Sequence, residues 1–153
     1  MRKTLLAVTM MVAALAGTTA RPALAATTGA QRFNLFGDNN GQTVIASGTV
    51  FAVGESIPID EDHDRFVFPN GSFLVTHPET SNDERFNEVA CLGTATFAGT
   101  YTLSQGTGAY AGISGSGTYS GKAIFVADRT PTGCSEEGSA WFFVSAPGSV
   151  TLP

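Results

Sequence analysis

Residues 97–126 read FAGTYTLSQGTGAYAGISGSGTYSGKAIFV, and no other stretch limits the possible folds of this chain so sharply. All three tyrosines, Tyr101, Tyr110 and Tyr119, lie here, nine residues apart. Each follows a glycine by two positions: Gly99, Gly108 and Gly117. Just before and within this stretch, Ala95, Phe97, Gly99, Tyr101 and Leu103 alternate with Thr94, Thr96, Ala98, Thr100 and Thr102. A period of two with one apolar and one threonine-rich face predicts an antiparallel strand, buried on one side and wet on the other. The pattern therefore predicts strand, glycine turn, strand, with tyrosine at a fixed phase in each segment. Glycine at 112, 115 and 117 predicts bulges, a barrel corner or close backbone approach.

Three chemical readings of the same glycines fail. A phosphate-binding loop requires a hydroxyl after Gly-Lys, and Ala123 follows Gly121-Lys122. A dinucleotide fingerprint requires GxGxxG opening a helix, and Gly106, Gly108 and Gly112 have the wrong last spacing. Calcium-binding β-roll repeats require an aspartate in each repeat, and none occurs in 97–126.

The rest of the mature chain also reads as strands. Phe33 and Leu35 alternate with Arg32 and Asn34 in 31–36. Gly37-Asp38-Asn39-Asn40-Gly41 follows as a turn cluster. The β-branched run 43–53 predicts one long strand bulged at Gly48. Pro69-Asn70-Gly71 between FVF and SFLVTH predicts a hairpin. Residues 54–64, 78–85 and 128–139 read as loops, and 86–91 as a short strand. Trp141-Phe142-Phe143-Val144 is apolar on both faces, which predicts a central covered strand, interrupted at Pro147-Gly148. About eight strands and no helix make an all-β chain. Such a chain closes into an antiparallel barrel or, as the alternative, stacks as a β-sandwich. Dense glycine and long, bent strands favour the barrel.

The N-terminus reads as a secretory signal peptide, 1–25. It has Arg2 and Lys3, an apolar run over 5–16 that is too short for a bilayer span, and the small-x-small site Ala23-Leu24-Ala25. This leaves one domain, 26–153, in a secreted protein with no membrane attachment after cleavage. Losing Arg2, Lys3 and Arg21 leaves five bases against thirteen acids, a net charge of −8. An acidic domain with scattered bases has no footprint for nucleic acid or anionic lipid. In an exported chain Cys91 and Cys134 predict a disulfide.

The acidic run Asp60-Glu61-Asp62-His63-Asp64 fails as an EF-hand loop. Arg65 stands where glycine is required and Gly71 where a bidentate glutamate is required, so a solvated acidic loop is expected and no metal. Two histidines, no GxSxG elbow and bonded cysteines argue against a catalytic triad and against zinc. Asn70-Gly71-Ser72 is a glycosylation sequon.

At this point the residues resemble a known group. QGTGAYAGISGSGTY (105–119), GTYTL (99–103) and DRFVFPNGSFLVTH (64–77) are similar to secreted members of the allene oxide cyclase-like barrel superfamily, to which plant dirigent proteins belong. The GTG-x-aromatic hairpin of that group is matched by Gly106-Thr107-Gly108-Ala109-Tyr110. The resemblance implies an eight-stranded antiparallel barrel, often a homotrimer, with an apolar cavity and no metal or cofactor. Allene oxide cyclases close an unsaturated epoxide fatty acid into a cyclopentenone, and dirigent proteins steer radical or quinone-methide coupling. In both, the cavity works by holding one conformer.

Two functions follow as expectations. One is a secreted barrel that binds a small apolar or aromatic molecule, as a dirigent-like guide or a cofactor-free isomerase or cyclase. Its lining candidates are Phe73, Phe97, Tyr101, Tyr119 and Trp141, and its polar candidates for catalysis are His77, Glu88 and Tyr101. His77 shares the face of Phe73 and Val75, and Glu88 shares that of Phe86 and Ala90. The other is a non-catalytic extracellular structural or interaction domain with a filled interior. An open cavity with convergent polar groups separates the two.

Overall fold

The computed structural model describes residues 25–38 and 40–153; the expected signal segment 1–24 lies outside them. Nine strands follow in order: β1 (Thr27–Asp38), β2 (Gly41–Gly48), β3 (Ala52–Asp60), β4 (His63–Phe68), β5 (Gly71–Thr76), β6 (Glu79–Asn87), β7 (Leu92–Ser104), β8 (Ser114–Thr130) and β9 (Gly133–Leu152). A single 3₁₀ turn, Gly108–Tyr110, lies between β7 and β8.

All pairings are antiparallel, in the order β5-β4-β3-β2-β1-β9-β8-β7-β6. A short ladder between β5 and β7 (Leu74 to Ser104, Val75 to Leu103, Thr76 to Thr102) closes the circle. The result is a closed eight-stranded antiparallel barrel, as the glycine pattern predicts, and not a sandwich. β6 continues past β5 along the same edge of β7, from Gly99 to Leu92. It is exposed at every position, and Glu79, Asp83, Glu84 and Arg85 stud it, which discourages further pairing at its free edge.

The nine-residue period acquires its reason from the β7–β8 register. Gly99 stands opposite Tyr119, and Tyr101 opposite Gly117. Each tyrosine ring thus lies over the glycine of the other strand. A Cβ on Gly99 would come within 2.6 Å of the Tyr119 ring, and one on Gly117 within 2.6 Å of the Tyr101 ring. The middle copy, Gly108 to Tyr110, forms the turn at the centre of this reciprocal pairing, not a strand. Tyr110 folds back into the core, with its ring 5.4 Å from Phe73 and 5.6 Å from Phe68.

Inward positions form one core: Phe33, Val44, Ala46, Phe66, Phe68, Phe73, Val75, Tyr101, Leu103, Tyr110, Ile113, Ala146 and Val150, all buried. Aromatic rings at tilted or edge-on angles, 5.5–6.5 Å apart, link Phe33, Phe66, Phe68, Phe73 and Tyr101. One end of the barrel is plugged by Val50, Tyr110 and Ile113. There the Gln31 side chain clamps Val50 from both sides, accepting from its N–H at 2.7 Å and donating to its carbonyl at 3.1 Å. This satisfies a buried amide that would otherwise be costly.

Several sequence expectations need correction. The run 43–53 is not one bulged strand: Gly48 takes φ +133° and ends β2, so the chain turns before β3. Most of the expected loop 54–64 is strand β3, and the expected loop 78–85 lies mostly in β6, because strand pairing there is imposed by neighbours and not by local hydrophobicity. Much of 128–139 extends β8 and β9 into a hairpin that reaches beyond the barrel. β9 is not interrupted at Pro147-Gly148; Pro147 pairs across to Arg32 of β1, while the β8–β9 ladder skips Thr118 and Tyr119, where a proline has no N–H to give. Trp141 and Phe143 are 49% and 53% exposed, so that segment is covered on one face only.

Cys91 and Cys134 are bonded, tying the β6–β7 turn to the outer part of the β8–β9 hairpin. The Arg129 guanidinium donates to the carbonyl of Val89 at the same junction.

Candidate functional site

The plugged end leaves the other end open. There the barrel holds a cavity of about 650 Å³. Its floor is Phe33, Phe66, Tyr101 and Ala146, its walls include Leu35, Val75, Phe97, Tyr119, Phe142 and Val144, and its mouth carries Gln42, Pro58, Glu61, Asp62, Asp64, His77, Glu79 and Asn82. The interior does not fill because inward glycines on β7 and β8 supply no side chain. Tyr101 crosses over Gly117, Tyr119 over Gly99 and Phe97 over Gly121, taking the space a side chain there would need.

His77 is held by its surroundings. Its backbone N–H donates to Asp62 O at 2.8 Å, and its carbonyl accepts from the Tyr119 hydroxyl at 3.0 Å. The imidazole stands edge-on to the Tyr119 ring, with centroids 6.1 Å apart. Its Nε2 lies 3.6 Å from Asp64 Oδ1, an ion-pair separation beyond hydrogen-bond length. Asp64 Oδ2 accepts a hydrogen bond from the buried Ser56 hydroxyl at 2.9 Å. The carboxylate of Asp64 raises the His77 pKa, against burial that lowers it. A histidine and an aspartate side by side at the mouth of a cavity can exchange a proton with a bound molecule.

Tyr101 forms part of the floor. It is 2% exposed, and its hydroxyl lies inside the barrel beside Gly148 with no protein group to bond. Burial raises its pKa, so it stays protonated and is a hydrogen-bond donor at neutral pH. Burial raises the Tyr119 pKa too, with the charges of Glu79 and Asp62 adding to it.

Of the residues expected to line a cavity, Phe97, Tyr101 and Tyr119 do so, and His77 joins them. Phe73 points inward, but it is fully buried in the core behind Phe33 and Phe66 and does not line the cavity. Trp141 faces outward, opposite Ile124 and Asp38, and takes no part in the lining. Glu88 is exposed in the turn after β6 and lies away from the cavity; its carbonyl faces the disulfide sulfurs. Asp60 turns away to His63 Nδ1 at 2.7 Å while Asp64 turns inward, so the acidic run splits between the outside and the cavity.

Asp64, Gln42, Glu79, Asn82 and Phe142 were not expected at the site. For Asp64 a signal existed: it precedes Phe66 and Phe68 at a period of two, on the face those phenylalanines bury. Glu79 and Asn82 lie on a strand with no hydrophobic period, so nothing local announced them.

Among the described residues, no group of three or more His, Cys, Asp or Glu side chains is placed to hold a metal ion. No helix among them is long and apolar enough to cross a membrane. Comparison with protein-family models, with curated proteins and with solved structures finds no match.

Proposed function

We propose that this is an exported barrel protein that binds one small apolar or aromatic molecule in its open end, in the manner of allene oxide cyclase-like and dirigent-like barrels. The observation that carries this reading is the 650 Å³ cavity itself, whose floor is largely aromatic and whose polar groups gather at its mouth. A purely structural domain has no use for an unfilled interior, since a closed core would stabilise it more. The disulfide fits an oxidising compartment and so supports export. The homotrimer implied by the resemblance has a surface to offer: Phe36 opposite Phe143, and Trp141 opposite Ile124, form an exposed apolar band across β1, β9 and β8.

Binding is tested by titrating the neutral fluorophore N-phenyl-1-naphthylamine into the protein. Saturable enhancement at one probe per chain is expected, and it is lost in Val144→Phe, which fills the cavity from a partly exposed lining position. Absence of enhancement, or its persistence in a folded Val144→Phe, overturns the reading and favours the structural domain. Light scattering on the same sample reads the assembly: three chains are expected, and a monomer mass overturns the trimer.

A second reading, a cofactor-free isomerase or cyclase, is favoured by the His77–Asp64 pair at the cavity mouth. It requires that turnover of a bound substrate vanish in His77→Gln while binding persists.

A further inference from the structure

The cavity is one-sided in charge. Four of the thirteen acids, Glu61, Asp62, Asp64 and Glu79, line it, and none of Arg32, Arg65, Arg85, Lys122 or Arg129 does. His77 is the one lining group able to carry positive charge, and Asp64 already faces it. Glu61, Asp62 and Glu79 form no ion pair with any described residue. A cleft lined by one sign of charge, with low-dielectric walls behind it, concentrates ions of the opposite sign and repels its own. Below these carboxylates stand the aromatic rings of Phe97, Tyr119 and Phe142, side chains of a kind whose ring faces attract cations. Deeper still, the Tyr101 hydroxyl is almost wholly buried and has no protein partner.

We propose that the occupant is a cationic amphiphile: an amine or quaternary ammonium head held among Asp62, Asp64 and Glu79, on an apolar or aromatic body that reaches down to Phe33 and Tyr101. This rests on the cavity-binding reading above and narrows it. A neutral body alone would fit the floor but make no use of the carboxylates at the mouth. A fatty-acid carboxylate would have to pass them against like charge.

The test uses three probes with one body and three heads: 4-phenylbutylamine, 4-phenylbutan-1-ol and 4-phenylbutanoate, titrated calorimetrically into the mature protein at pH 7. The amine is expected to bind at least tenfold tighter than the alcohol, and the carboxylate more weakly than the alcohol. The amine's advantage shrinks in 0.5 M salt, as screening requires (Debye length a few Å near 1 M). In Asp62→Asn/Glu79→Gln, which alters only exposed positions, the amine-to-alcohol ratio falls toward one. An amine no tighter than the alcohol, or a carboxylate as tight, overturns the cation preference while leaving cavity binding intact. No binding of any of the three, together with no fluorophore binding, overturns the cavity reading and this inference with it.

Discussion

Replacing Tyr101 with phenylalanine is expected to stabilise the empty protein. The tyrosine ring is fixed by packing: it meets Phe33 edge-on at 6.0 Å and lies across Gly117. Phenylalanine keeps all of that. What it removes is a hydroxyl that is buried and bonded to no protein group. Burying such a group without a partner costs about 1–3 kcal/mol. The small void left by one oxygen costs roughly 0.3 kcal/mol. The first effect wins, so Tyr101→Phe is expected to gain about 1 kcal/mol, or about 4 °C in Tm for a domain of this size. The measurement is urea unfolding of refolded protein freed of any occupant, comparing midpoints at unchanged slope. Equal or lower stability, by about 1 kcal/mol, would refute the reasoning, because it would mean that the hydroxyl already has a strong partner inside the barrel.

Gly117→Ala places a methyl within 2.6 Å of the Tyr101 ring and 2.8 Å of the Gly148 backbone, and is expected to cost about 1–3 kcal/mol by overpacking, read from the denaturation midpoint. Reducing the disulfide, or replacing Cys91 and Cys134 with serine, reopens a loop of 43 residues and is expected to cost about 4 kcal/mol in the chain-entropy model. His77 has a pKa above its ordinary 6.5 in the folded state. Its contribution to stability is therefore complete below pH 6.5 and is lost as pH rises through the folded value. The stability difference between the native protein and His77→Gln should shrink over that rise. A difference that grows with pH would contradict the Asp64 pairing.

Much of the fold was legible along the chain. Strict alternation in β1 and β7 placed Phe33, Leu35, Tyr101 and Leu103 on the inner face, because a side-chain period of two leaves only two choices and hydrophobicity picks one. The GxY repeat read as strand, glycine turn, strand, and the cysteine pair was readable from their number and the signal-peptide pattern. β3 and β6 were not legible. β6 carries no apolar period, and in β3 the apolar Val53, Ile57 and Ile59 lie on the exposed face; both are strands because β2, β4 and β7 offer unpaired backbone that must be satisfied. Trp141 misled for a related reason: two apolar faces on one strand look alike until the barrel decides which is inside.

The site divides in the same way. The sequence by itself determined which residues share a face of each strand, since that is a local property of the pleat. Only the tertiary structure decided that Asp64, His77, Glu79 and Tyr101 share one cavity. They come from β4, β6, β7 and the link after β5, and they meet because three pairs between β5 and β7 close the circle. Only closure decided, too, that one end fills with Val50, Tyr110 and Ile113 while the other, walled by rings lying over glycine, leaves room for a guest. Cavity volume is a sum over facing strands, and no single strand carries it.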